Sequence, residues 1–100
     1  MTDYNIHLSL QEVCIAVELP EPLVFEVVEQ GIVHPLGNEP GDWSFDLHMV
    51  NVLRRATRLH RDLELDWATV ALVVDLVDQR EQLRHENRLL KRRLGRFIQD

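Results

Sequence analysis

The first 53 residues contain neither lysine nor arginine, although the whole chain has eleven of these basic residues. The same stretch carries nine carboxylates, at Asp3, Glu12, Glu18, Glu21, Glu26, Glu29, Glu39, Asp42 and Asp46. The other 47 residues combine all eleven bases with eight acids, so the two parts carry formal charges of −9 and +3. Proteins that hold a nucleic-acid backbone use lysine and arginine to do so. We therefore expect a cationic partner for this acidic part, and no direct DNA binding by it.

Other absences exclude further classes of protein. Cys14 is the only cysteine, which excludes an internal disulfide and fits a reducing compartment. No apolar run approaches the roughly 20 residues that cross a bilayer. Residues 1–13 also lack the basic segment that opens a secretory signal. The sequence therefore predicts a cytoplasmic protein that has no membrane association.

The residue patterns of catalytic and cofactor sites are missing as well. The five histidines are His7, His34, His48, His60 and His85, and no two of them have the i, i+4 spacing of metal ligands. The four glycines form no phosphate-binding loop, and no serine lies in a nucleophile motif. We therefore predict a protein that is not an enzyme and that has no catalytic residues, no cofactor and no metal.

What the sequence does contain is a pattern of short helices. Ser9 and Glu12 have the spacing of a capping box, which predicts a first helix over residues 10–18. Pro20 and Pro22 end it, and a second short helix follows that ends at Gly31. Two short helices joined in this way form a helix-turn-helix motif.

The rest of the first 65 residues predicts a small wing and a third helix. Residues 32–33 and 43–45 are β-prone and flank a turn-rich loop, so we predict that they form a two-stranded wing. Asp46 caps a third helix whose apolar positions run to Leu63, and Asp66 caps a long helix over residues 67–97. The predicted fold is mostly α: an acidic winged-helix-like domain over residues 1–65 and a long helix over residues 66–100.

Leucines recur every seven residues along that long helix. One of the two core positions of the heptad, d, is occupied by Leu76, Leu83, Leu90 and Phe97. The other, a, lies three residues earlier and is occupied by Val73, Arg80, Asn87 and Leu94. This pattern predicts a dimerisation coiled coil, in which a lone asparagine fixes register. Its predicted contact residues are Leu76, Leu83, Asn87, Leu90, Leu94 and Phe97. The alternative is a helix that packs back on its own domain, and Arg80 on the heptad favours that alternative.

Two resemblances follow from these residues. The segment Gln30-Gly31-Ile32-Val33-His34-Pro35 resembles the wing entry of MerR-type winged-helix proteins, whose second helix carries Arg and Tyr for DNA. Here the second helix has acids and valines instead. A closer resemblance to the CbpM family of chaperone modulators rests on four strings: Trp43-x-Phe45-Asp46-x-His48, Arg55-Ala56-x-Arg58-Leu59, Leu63-x-Leu65-Asp66-Trp67 and Glu86-Asn87-Arg88-Leu89-Leu90.

The CbpM resemblance implies an inhibitor that binds the J-domain of CbpA, a DnaJ-like co-chaperone, and restrains its work with DnaK and its association with DNA. Since J-domains present a basic helix to their Hsp70 partner, the acidic part of this chain is a fitting competitor. The predicted partner-binding residues are Glu18, Glu21, Glu26, Glu29, Glu39 and Asp42. The alternatives are that these are solvated surface acids, and that the protein is a MerR-like transcription regulator that reaches DNA through its basic tail.

Overall fold

The computed structural model describes residues 6–98, without the side chains of Phe97 and Ile98. In chain order the elements are β1 (His7–Leu8), α1 (Leu10–Val17), α2 (Glu21–Glu29), a 3-10 turn (Pro40–Asp42), β2 (Phe45–Asp46), α3 (Leu47–Asp62) and α4 (Trp67–Ile98). The predicted mostly α architecture, with a helix-turn-helix, a small sheet and a long last helix, is confirmed.

The helix-turn-helix is built from local capping interactions. Ser9 and Glu12 form the predicted capping box, in which each backbone N–H donates to the other side chain, at 2.8 and 3.2 Å. Helix α1 ends where Glu18 turns left-handed, and α2 begins beside Pro22. Gly31 has φ +76, and the N–H of Ile32 donates to the carbonyl of Val27, which closes α2 with a Schellman motif.

The pairing of the wing strands differs from the prediction. Phe45 pairs with Leu8 of β1 in the antiparallel sheet, and residues 32–33 form no strand. The wing loop is closed instead by a single bridge, in which Leu36 and Ser44 exchange backbone hydrogen bonds of 3.1 and 2.9 Å. The prediction that residues 32–33 pair with residues 43–45 is therefore wrong, because the partner of Phe45 comes from the segment before α1.

Helix α3 lies at the centre of the domain. Asp46 caps it by accepting from the N–H of Met49 at 2.8 Å, and α3 packs against α1, α4 and β2. Val50, Leu53, Ala56 and Thr57 are buried as predicted. Leu63, which was predicted to extend this buried stripe, is 61% exposed because α3 ends at Asp62. The core also includes Val13, Val24, Val27, Phe45, Trp67 and Val70.

Helix α4 is anchored at its beginning and projects beyond the domain. The carboxylate of Asp66 accepts from the N–H of Thr69 at 2.8 Å, and Trp67, Val70 and Val74 are buried. The ring of His60 stacks on Trp67 at 4.0 Å and its Nδ1 lies 2.6 Å from the carbonyl oxygen of Leu65, which holds the α3–α4 junction. Residues 81–94 are all exposed, so this part of the helix does not pack back on its own domain.

Candidate partner-binding surface

The six predicted partner-binding acids are all exposed. Within residues 6–98, the one ion pair joins Arg55 of α3 to Glu81 of α4 at 3.9 Å. None of the six acids therefore forms an ion pair with a base of the described chain.

Three of the six lie on α2, but they do not all face the same way. Glu26 and Glu29 project from the side of α2 opposite the buried Val24, three residues apart and therefore close together. Glu21, at the beginning of the helix, lies beside α1. It lines a shallow depression with Ser9 and the turn at Pro40, and its charge contributes to raising the pKa of Cys14. The larger cause of that raised pKa is the burial of the thiol.

Glu39 and Asp42 lie in the loop that the Leu36–Ser44 bridge closes. The N–H of Asp42 donates to the carbonyl of Glu39 at 2.8 Å, so the two acids bracket one tight turn. Gly37 fixes the shape of this loop, because it has φ +111 and a Cβ there would lie 2.5 Å from the carbonyl oxygen of Asp42. Pro40 and Gly41, which lie between these two acids in the chain, line the same depression as Glu21.

Aromatic rings connect this loop to α2. Trp43 packs edge-on against Phe25 of α2 at 5.6 Å and against Phe45 at 6.2 Å. Phe45 is fully buried, whereas Trp43 and Phe25 are partly exposed. The rings thereby hold the acidic loop and the acidic helix in a fixed relation to each other.

Glu18 stands apart from the other five. Its φ is 55, a left-handed conformation, and it lines a cleft of about 210 Å³ between α1 and α3. Arg54, Arg58 and Arg61 of α3 line the same cleft. The electrostatic potential around Glu18 therefore has contributions of both signs, unlike that around the acids of α2 and the loop. Sequence reasoning could not show this, because Glu18 and the three arginines line one cleft only through tertiary packing.

The four leucines among the predicted dimerisation residues form an apolar stripe on α4. Leu76, Leu83, Leu90 and Leu94 are 63%, 64%, 54% and 59% exposed. With 3.6 residues per turn, they fall within an arc of about 40°, on the side opposite Trp67, Val70 and Val74. Asn87 is exposed at the edge of the stripe, and the side chain of Phe97 lies outside the described residues.

Sequence reasoning missed two acids of α4 as surface candidates. Asp75 and Asp78 are exposed, and they face the segment that follows α2. Their i, i+3 spacing shows that they share a side of the helix, but nothing in the sequence shows what lies across from them.

Within the described residues, no three His, Cys, Asp or Glu side chains are grouped closely enough to hold one metal ion. Among the helices between residues 6 and 98, none combines the length and the apolar character needed to span a bilayer.

Comparison with known proteins agrees with this architecture. Residues 8–92 match the family model of the MerR HTH family regulatory proteins. The chaperone modulatory protein CbpM of Pseudomonas putida is 46% identical over 94 residues, covering 94% of this chain and 93% of the relative. The proteins of the same name from Citrobacter koseri and Salmonella paratyphi B are 38% and 36% identical over 98 residues, which is 98% of this chain and 97% of each relative. This chain belongs to the MerR HTH family and to the CbpM family of chaperone modulatory proteins.

Proposed function

We propose that this protein modulates a chaperone system by binding the J-domain of a CbpA-type, DnaJ-like co-chaperone and inhibiting it. The binding surface is acidic and comprises Glu18, Glu21, Glu26, Glu29, Glu39 and Asp42. The observation that carries the proposal is that these six carboxylates are exposed and contact no base of residues 6–98. Carboxylates that form no ion pair within the described chain are free to attract a basic partner.

The chemistry of this surface suits a competitor for a basic helix. Glu26 and Glu29 are presented on a rigid helix, and the aromatic contacts of Trp43 hold Glu39 and Asp42 beside it. Pre-ordered carboxylates lose little freedom when a cation binds between them. A J-domain whose basic helix is covered in this way is unable to present that helix to an Hsp70 chaperone, which is how binding restrains the co-chaperone.

The protein acts as a homodimer in this proposal. The leucine stripe of α4 has no partner among residues 6–98, and burying a leucine side chain stabilises an interface by about 1.5–3 kcal/mol. Each protomer presents one acidic surface. Function rests on binding alone and not on catalysis, and the protein works in the cytoplasm together with the co-chaperone.

Calorimetry with the J-domain of a CbpA-type co-chaperone, at two salt concentrations, tests the proposal. We expect binding that weakens as salt rises, because exposed charges more than about 8–10 Å apart are screened near physiological ionic strength. The double variant Glu26→Lys/Glu29→Lys should raise Kd by about tenfold or more, since surface pairs are worth up to about 1 kcal/mol each and reversal adds repulsion. Its unfolding transition should match the wild type, because both side chains are exposed.

The second candidate function is DNA binding through the basic end of α4. Arg84, Arg88, Lys91, Arg92 and Arg93 are all exposed there, and the chain matches a family of helix-turn-helix regulators. Steeply salt-dependent binding to duplex DNA, together with no binding to the J-domain, would favour this function over the first.

A further inference from the structure

Five exposed leucines of α4 are spaced symmetrically along one side of the helix. Leu72 is 65% exposed and lies five turns before Leu90, so it extends the leucine stripe toward the domain. In chain order the extended stripe comprises Leu72, Leu76, Leu83, Leu90 and Leu94. The intervals are four, seven, seven and four residues, so the pattern is the same from either end and its centre is Leu83.

The symmetry of these intervals matters for only one orientation of two paired helices. In an antiparallel pair with a two-fold axis at Leu83, Leu72 lies level with Leu94 of the second copy, and Leu76 lies level with Leu90. A parallel pair sets each leucine level with its own copy whatever the intervals are. Antiparallel pairing also places the projecting end of each helix along the part of the other helix that is nearest the domain, where Leu72 and Leu76 are exposed. The leucines therefore favour the antiparallel orientation.

Two charged residues on one edge of the stripe favour the same orientation. Asp75 and Arg93 are 18 residues apart, which is five turns, so they project from the same side of α4. Both are exposed, and neither forms an ion pair within residues 6–98. In the antiparallel pair the same edges of the two helices meet, so Asp75 and Arg93 of the second copy differ in level by only about 3 Å. Charged residues that flank a helix interface select its orientation, and two such contacts form per dimer.

In a parallel pair, opposite edges of the two helices meet instead. Arg93 then lies beside Lys91 of the second copy, and the residue nearest to Asp75 is Val73. This orientation does bring Glu86 within reach of Lys91. The parallel pair therefore offsets its gain at Glu86 with a repulsion at Arg93, and it leaves Asp75 without a base.

The polar residues around Leu83 are also compatible with antiparallel pairing. Arg80 precedes Leu83 by three residues and Asn87 follows it by four, and both lie on the other edge of the stripe. An antiparallel pair therefore sets Arg80 beside Asn87 of the second copy, whose carboxamide oxygen accepts hydrogen bonds. A parallel pair places the two copies of Arg80 at one level of the interface. Arg84 is the base nearest the two-fold axis, but it projects about 100° away from Leu83 and stays in solvent.

We propose that two copies of this chain pair antiparallel along α4, with Leu83 at the two-fold axis and Asp75 of each copy beside Arg93 of the other. This inference rests on the homodimer of the proposed function and assigns its orientation, register and charge contacts. Trp67, which anchors α4 in the domain, lies 16 residues before Leu83, so the two anchors are about 48 Å apart. The two acidic surfaces are therefore at opposite ends of the dimer, and each can bind a J-domain without the other.

Cross-linking at single cysteines of the full chain tests the orientation. Cys14 is first changed to alanine, and a cysteine then replaces one leucine of the stripe in each variant. The reagent is a bismaleimide that spans about 10 Å, the distance between the axes of packed helices. We expect Leu83→Cys to cross-link to its own copy, and isotope-labelled chains with Leu76→Cys to cross-link to unlabelled chains with Leu90→Cys after mixing. Leu90→Cys alone should give no cross-linked dimer, because its two copies are about 21 Å apart along the axis.

A parallel pair reverses that pattern and would overturn the inference. Leu90→Cys alone would then cross-link, and no product of the mixture would contain both kinds of chain. Absence of the Leu83→Cys cross-link would also overturn the inference, and sedimentation of the wild type would then show whether the homodimer itself fails. Calorimetry with the J-domain decides the proposed function separately from both.

Reversal of charge tests the contact between Asp75 and Arg93. We expect Asp75→Arg and Arg93→Asp each to raise the Kd of dimerisation about tenfold, because each removes two attractive contacts and adds two repulsive ones. The double variant Asp75→Arg/Arg93→Asp exchanges the charges, so its Kd should return to within about threefold of the wild type. Arg88→Asp makes the same change on the side of α4 away from the stripe and should change Kd by less than about twofold. If the double variant is as weak as the single ones, Asp75 and Arg93 do not meet and the proposed register is wrong.

Discussion

At the scale of single residues, the roles that could be predicted from the sequence were those of residues that bond to nearby backbone. Ser9, Asp46 and Asp66 cap helices, and Gly31 closes one, because each bonds to backbone within three or four residues. Glu18 shows the limit of such reasoning. Its exposure was expected, but neither its left-handed backbone nor its place beside three arginines of α3 follows from nearby residues.

Two glutamates with nearly the same backbone conformation provide a matched test of the acidic surface. Glu18 has φ 55 and Glu64 has φ 51, so glycine relieves strain at both positions. Each change to glycine also removes one exposed negative charge. We expect Glu18→Gly and Glu64→Gly both to keep or raise the free energy of unfolding, by up to about 1 kcal/mol, in urea titrations.

J-domain affinity should distinguish the two glycine variants. Because Glu18 belongs to the proposed surface and Glu64 does not, Kd should rise about two- to fivefold for Glu18→Gly and stay unchanged for Glu64→Gly. A loss of affinity in this pair is not attributable to unfolding. If the two variants bind equally well, Glu18 is not part of the proposed binding surface. The arginines that line the same cleft would then explain why its charge does not attract the partner.

At the scale of elements, helices were predictable and strand pairing was not. The bounds of α1, α2 and α4 agree with the predictions to within a residue or two, because apolar spacing and caps are local features. The pairing of Phe45 with Leu8 joins residues 37 positions apart, and residues 32–33 were wrongly preferred because they are closer in sequence and equally β-prone.

The Asp66 cap makes the stability of α4 depend on pH. Hydrogen bonding by Thr69, from its hydroxyl and then from its backbone N–H, holds the pKa of Asp66 below its ordinary value of 3.8. Because the pKa is lower in the folded state, the ionised carboxylate stabilises the fold at pH values above the ordinary pKa. The contribution is lost as pH falls through the folded-state pKa.

We therefore expect Asp66→Ala to destabilise the protein at pH 7 and to have a smaller effect near pH 3. The measurement is the difference in urea midpoint between the variant and the wild type at the two pH values. Thr69→Val, which keeps the Asp66 carboxylate and its backbone bond but removes the hydroxyl, should show a weaker form of the same trend. A difference that stays constant with pH would contradict this role for the carboxylate.

At the scale of the whole molecule, the structure is more extended than a compact domain of the same length. Its radius of gyration is 17.3 Å, whereas a compact domain of 100 residues has about 13 Å. The excess comes from α4, whose residues 81–94 are exposed throughout. Isolated helices of this length are only marginally stable in water, and burial of the leucine stripe against a partner would stabilise the projecting part.

Two adjacent leucines test whether that partner is a second copy bound along the stripe. Leu90 lies on the stripe, and Leu89 lies about 100° around the helix from it, although both are exposed side chains of the same turn. We expect Leu90→Glu to shift the chain to monomer in sedimentation experiments and to lower the helical circular dichroism. The physical reason is the loss of about 1.5–3 kcal/mol of apolar burial per protomer, together with the placing of two carboxylates in the interface. Leu89→Glu introduces the same residue into the same turn and should leave both measurements close to wild type.

If both variants stay dimeric, the protomers associate through another surface. If both become monomeric, the interface is wider than the stripe and includes Leu89.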